Sequence, residues 1–376
     1  MSLGQTFRGC GRKLIAGAAT VTGGPDGASF AGVATCGMVH MCTWCAGRIL
    51  AARAAFAQDA AEAWVANGGG IVMTAHTLRH FARQRYGTLR KRERGGLVAV
   101  LHDGWSGAYG HRSGKMWQRI KREHQVVGVL RSFEDTWGED SGFHLHFHAM
   151  WFTARPLTPD EVESFAAALS TRWGTAVVAA GGYQVSDTHG VRVDQVDVTE
   201  AGAVGRYLFK DGDHVRVAPL DGVGAELAFG NDKSARRGRL GPFELGDAAA
   251  DGETAAVTAW QEREYGVFGV RKMYLSNGMR ARLDELGVAD DRTDAEIAED
   301  DGHGREPIAV IPRDTWYGSV VPVRGRRLAL IRAAERLGVV GVQTLIESWG
   351  LEWGRDVLGP PTLEPSDKPP TGPSRH

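Results

Sequence analysis

The chain has 376 residues, 43% of them hydrophobic and 24% charged, with a formal net charge of -1. This length allows two or three domains, and the composition is that of an ordinary globular protein. No run of 18 apolar residues occurs, which excludes a membrane-spanning helix, and the first residues lack a secretory pattern, so a cytoplasmic location is expected. The near-neutral sum argues against binding polyanions through bulk charge alone.

In chain order, the cysteines at 10, 36, 42 and 45 come first, followed by an alanine-rich helix over 46–66 and a break at Asn67-Gly68-Gly69-Gly70. Residues 71–76 read as a strand, 97–109 and 116–123 as helices, and 126–136 and 143–153 as strands. Thr158 is placed as an N-cap, with Pro159 at the first helical position and Glu161 completing a capping box. Val162, Phe165, Leu169 and Trp173 then fall on one face of that helix, which is expected to pack on a sheet. Residues 191–198 read as a strand and 200–211 as a helix. Beyond them, 251–265, 294–301 and 326–337 are the better helix candidates, and the proline-rich tail reads as disordered. The expectation is an α+β fold, with an antiparallel sheet covered by helices. Its expected parts are a cysteine-rich zinc module (1–66), a central domain (71–245), a mainly helical C-terminal region (246–355) and a tail (356–376).

The charge is unevenly distributed. Arg79, Arg83, Arg85, Arg90, Lys91 and Arg92 lie in a stretch where Glu93 is the one acid, and Lys233, Arg236, Arg237 and Arg239 form a second cluster. Either patch is a candidate DNA contact, with a solvated helix face or loop as the plain alternative.

The strongest chemical signal is Gly142-Phe143-His144-Leu145-His146-Phe147-His148-Ala149-Met150-Trp151-Phe152. A period of two puts His144, His146 and His148 on one strand face, while Phe143, Leu145, Phe147 and Trp151 fill the other. Neighbouring imidazoles on one face can converge on a divalent ion. A polar strand surface is the bland reading, but three alternating histidines backed by an apolar face favour metal.

Further on, Tyr207 and Lys210 lie three apart on a predicted helix and so share a face. A tyrosine near its free pKa is a weak nucleophile and needs a lysine or a polarised phosphate to help it. At the N-terminus, Cys42 and Cys45 form a C-x-x-C pair that Cys36 and Cys10 complete to a four-sulfur zinc site. His40 is a competing ligand, and a redox pair or buried thiols are the alternatives.

Together these motifs resemble a rolling-circle replication initiator, the plasmid Rep type of high-GC Gram-positive bacteria within the HUH endonuclease superfamily. The residues that carry the resemblance are the Gly142–His148 motif, Tyr207 with Lys210, the threonine- and histidine-containing stretch Val72–His80, and the strand Val129–Thr136 with Glu134 at its acidic position. The resemblance covers residues 70–245 well and the flanks more loosely. It implies an HUH core that nicks one strand at a plasmid double-strand origin. His146 and His148 would hold Mg²⁺ or Mn²⁺, with His144 or Glu134 as third ligand. Tyr207 would attack the phosphate, leaving a 5′-phosphotyrosine link and a free 3′-OH, and Lys210 would neutralise the developing charge. The implied partners are origin DNA, as a single strand or hairpin, and a host helicase and polymerase. One departure from the pattern concerns termination. Ala203 stands where several relatives place a glutamate one turn before the tyrosine, and Glu200 lies two turns before it. The rival readings are a relaxase or transposase of the same chemistry, a zinc-dependent DNA-binding regulator that cuts nothing, and a small-molecule metal hydrolase.

Overall fold

The computed structural model describes residues 8–24, 27–89, 96–110, 113–186, 189–194, 204, 238–289, 292–299 and 305–360. The chain divides into two compact units, one formed by residues 1–10 with 35–300 and the other by 11–34 with 301–376.

The first unit is built on a five-stranded sheet. Its strands are β3 (Gly70–Thr77), β4 (Val126–Gly138), β5 (Gly142–Thr153), β6 (Val191–Asp194) and β7 (Met273–Leu275), in spatial order β6-β3-β5-β4-β7. Every pairing is antiparallel. The long hairpin β4–β5 forms its centre. The turn returns through Gly142 at φ +72, where an added Cβ would come within 2.6 Å of the Ala82 carbonyl oxygen, so only glycine fits.

Alternation sorts the β5 side chains as expected. Phe143, Leu145, Phe147 and Trp151 are buried with residues of α2 (Leu97–Ala108) and α4 (Pro159–Ala179), among them Leu101, Trp105, Leu169 and Trp173. The capping box of α4 is present: the Thr158 hydroxyl accepts from the Glu161 amide, and the Glu161 carboxylate accepts from the Thr158 amide at 2.9 Å. The short α3 (Gly114–Glu123) adds Trp117 and Ile120 to the same core. Asp135 of β4 is buried on this side and receives Arg263 of α6 (Thr254–Gly266), with the guanidinium Nη2 3.1 Å from its second carboxylate oxygen.

On the other face, Met73, Leu130, Met150 and Phe152 pack with Ile49, Leu50, Ala57 and Ala60 of α1 (Thr43–Ala66). This cluster also takes in Val204, whose backbone N–H donates to Gln58 Oε1 at 2.9 Å. The rest of the expected helix 200–211, including Tyr207 and Lys210, lies outside the described residues, as do residues 195–198 of the expected strand.

The second unit has a three-stranded antiparallel sheet, β2 (Gly27–Ala31), β1 (Ala18–Gly24) and β8 (Glu306–Pro312), with β1 in the middle. Trp316 is fully buried there, edge-on to Phe30 at 5.1 Å between ring centroids. The helix over Arg326–Ser348 (α9) is interrupted at Gly338, whose φ is 56° and ψ -135°.

The C-terminal region is mainly helical among its described residues, with two short strands besides: Met273–Leu275 joins the central sheet and Glu306–Pro312 pairs with β1. Residues 1–66 are shared between the two units. The hairpin 18–31 finds its third strand near the C-terminus, whereas Cys10 and the helix over 43–66 belong to the larger unit. The tail from 361 onward lies outside the described residues, while Leu358 pairs with Val310. Among the described residues no helix is long and apolar enough to cross a membrane.

Candidate metal centre and its surroundings

The site lies on the α1-facing side of β4 and β5. Glu134 is the cross-strand partner of His146, and Ser132 that of His148, so the carboxylate and both imidazoles rise from adjacent positions on one face. Glu134 Oε2 is 3.0 Å from His148 Nε2 and 3.3 Å from His146 Nε2, and the two Nε2 atoms are 3.1 Å apart. All three residues are buried.

This triangle suits a divalent ion. Metal–ligand bonds of about 2.1 Å at right angles put neighbouring ligand atoms about 3.0 Å apart, which is the edge of an octahedral face. Glu134 Oε2 and both Nε2 atoms are crowded together in a buried site, a costly arrangement for three polar groups unless an ion is held between them. Burial opposes the charge on Glu134. The imidazoles of His146 and His148 outweigh it and hold the carboxyl well below the usual carboxylate range.

His144 is not at the triangle. Its Nδ1 lies 3.0 Å from Nε2 of His80, and its ring centroid lies 5.0 Å from that of His146. Burial, then His146, His80 and Arg239, push the His144 pKa down to about 2, and burial with Arg239 lowers that of His80. Of the two candidates for third ligand, Glu134 is the one the fold brings to His146 and His148. His76, the histidine in the expected upstream strand, is enclosed by Trp105, Tyr109, Trp151 and Trp173 on the opposite face, and burial first pushes its pKa to about 3. Its role is in the core.

The four cysteines converge. Cys10 Sγ is 3.4 Å from the sulfurs of Cys45 and Cys42, and Cys36 Sγ is 3.7 Å from that of Cys45. These separations are far beyond a disulfide bond. They are close to the roughly 3.8 Å expected between thiolates on a tetrahedral ion with zinc–sulfur bonds of about 2.3 Å. Hydrogen bonds from Cys10, Cys36 and Cys42 hold the Cys45 thiol far below its ordinary pKa. His40 stays out of the cluster: it is buried with Nε2 3.0 Å from the Val270 carbonyl oxygen, and burial first pushes its pKa to about 3.

Of the basic patches, Arg79, Arg83 and Arg85 are exposed, with Arg79 over the Phe81 ring and Arg85 3.9 Å from Glu262. Arg239 is partly buried, and Leu240 beside it makes a β-bridge with Trp137 at the end of β4. Arg90, Lys91, Arg92, Lys233, Arg236 and Arg237 lie outside the described residues. Sequence reasoning had not singled out His80 as a site residue. Its signal was its place four residues after His76, just past the end of β3.

Comparison with known proteins places this geometry in context. The chain is 26% identical to Protein rep of Streptomyces lividans over 354 residues, covering 81% of this chain and 76% of that protein. It resembles a Rep protein. That likeness extends well beyond a single motif. A second match, 27% identical, is to the Neomycin resistance protein of Streptomyces cyanogenus, but it spans 134 residues, 32% of this chain and 30% of that protein. No family model matches the chain, and no solved structure does.

Proposed function

We propose that this protein is a replication initiator that nicks one strand of plasmid origin DNA by tyrosine transesterification, in the manner of HUH endonucleases. The observation that carries the reading is the convergence of Glu134, His146 and His148 on one face of the central hairpin. The similarity to Protein rep supports it independently. A divalent ion such as Mg²⁺ or Mn²⁺ held by these three residues would supply Lewis-acid polarisation of a phosphate oxygen.

The remaining chemistry belongs to the chain. The Tyr207 oxygen attacks phosphorus, forming a P–O bond to the tyrosine as the bond to the 3′ oxygen breaks. The proton lost by the phenol is balanced by the one gained at the 3′-OH. The products are a 5′-phosphotyrosine and a primer end. Lys210 offsets the charge that develops in the transition state. The Cys10, Cys36, Cys42 and Cys45 cluster would hold a structural zinc that fixes the N-terminal end of α1.

The test is nicking of a supercoiled plasmid carrying the chain's own gene and flanking DNA. Wild type is expected to relax it in Mg²⁺ or Mn²⁺ and to leave a protein–DNA adduct on a denaturing gel. Tyr207→Phe removes one oxygen and should give neither nick nor adduct. A DNA-linked peptide containing another tyrosine, identified by mass spectrometry, would overturn the assignment, and intact plasmid with wild type would overturn the reading.

A further inference from the structure

The polar row on β5 continues past the triangle. His144 lies two residues before His146 on the same face, and its imidazole is tied to His80 at 3.0 Å. The chain around His80 is held against the start of β5, because Gly142 leaves no room between itself and Ala82. Arg239 lies beside this pair. Its Cγ packs where a Cβ on Gly138 would stand 3.3 Å away, and its neighbour Leu240 is fixed to Trp137 by two backbone hydrogen bonds of 2.9 and 2.6 Å. Arg239 acts electrostatically on both His80 and His144.

We infer that Arg239, His80 and His144 form an anion subsite that holds a backbone phosphate of single-stranded DNA next to the phosphate seated at the Glu134, His146 and His148 triangle. The inference rests on the nuclease reading for the second phosphate but makes its own claim about where the strand runs. Three features favour it. The step between same-face positions on a strand, about 6.6 Å, is of the same order as that between neighbouring phosphates of an extended polynucleotide. The hydrogen-bonded imidazole pair sets both rings in one orientation before DNA arrives, so little ordering is lost on binding. With His80 Nε2 donating to His144 Nδ1, the His144 Nε2–H is left as a directed donor while His80 Nδ1 is buried, and a guanidinium beside such a donor is a suitable receptor for a phosphate. The DNA strand is thereby laid along β5, running from His148 towards His144.

Binding of labelled oligothymidylate, measured by anisotropy across a salt series, tests the subsite without requiring cleavage. Arg239→Met should flatten the dependence of log Kd on log salt by about 0.7, the value for one phosphate contact on a single strand, and Arg239→Lys should restore it. His80→Ala and His144→Ala should each weaken binding about tenfold at fixed salt with the slope retained, and the double variant should lose no more than either single one, because the two act as a pair. Lys115→Gln, on the exposed side of α3, should behave as wild type. A wild-type slope in Arg239→Met, or wild-type affinity in both histidine variants with unchanged melting temperatures, would overturn the subsite. Neutral methylphosphonates placed at each phosphate flanking the mapped nick, in the Tyr207→Phe background, give a second reading. One flanking position should cost about tenfold, and that cost should vanish when Arg239 is replaced by Met. Its persistence would also overturn the inference. If wild type fails to nick, the nuclease reading falls, while the oligothymidylate slopes still decide for or against the subsite.

Discussion

At the residue scale, the division of labour among the histidines is the point that experiment can settle most directly. His146, His148 and Glu134 lie within a triangle of 3.0–3.3 Å sides, whereas His144 is engaged with His80. Replacing any of the first three by alanine should therefore remove Mn²⁺ binding measured by calorimetry and reduce nicking at least about 100-fold, because a bond to the ion itself is lost. His144→Ala should keep Mn²⁺ affinity within about tenfold of wild type. A loss of metal in His144→Ala as complete as in His148→Ala would move His144 into the coordination set. The alternating histidines were legible in the sequence because a strand's period of two needs no tertiary information. Their partners were legible to different degrees. The family resemblance points to Glu134 as a third-ligand candidate, and it reaches His146 through the register of β4 on β5, whereas His80 reaches His144 through a segment that packs across the sheet end. Neither is encoded in local spacing.

At the scale of elements, the features read correctly are those written in one short stretch. The α4 cap is complete within Thr158–Glu161, and the helices over 97–108 and 114–123 follow local apolar patterns. The strands that escaped notice, β1, β2, β7 and β8, are three to seven residues long and gain their hydrogen bonds from partners remote in sequence, the β1–β2 hairpin excepted. The cysteine cluster joins the two kinds of information. The C-x-x-C pair is local, while Cys10 is brought in across 35 residues to lie 3.4 Å from Cys45. Thiolates this crowded repel one another unless an ion sits between them. Purified protein is expected to carry about one zinc per chain by elemental analysis. Cys42→Ser with Cys45→Ser should release it and lower the melting temperature, as should a strong chelator on the wild type. Freshly prepared protein that contains no zinc and melts identically with and without chelator would remove the structural ion from the account.

At the scale of the molecule, the smaller unit is assembled from both parts of the chain. β1 and β2 come from residues 18–31, and their third strand comes from 306–312. The β1–β2 hairpin carries glycines at 23, 24 and 27 and has only one strand neighbour without β8. A two-stranded hairpin on its own is marginal in water. The pairing of β1 with β8 and the burial of Trp316 against Phe30 supply what it lacks. Ending the chain after residue 300 should therefore leave the hairpin unprotected while the five-stranded sheet of the larger unit keeps its protection. Hydrogen exchange read by mass spectrometry distinguishes the two: amides in 18–24 and 27–31 should exchange as fast as an unfolded peptide, whereas those of β4 and β5 should retain slow exchange. If the amides of 18–31 stay as protected in the shortened chain as in the full one, the hairpin draws its stability from elsewhere, and the pairing with residues 306–312 is not what holds it.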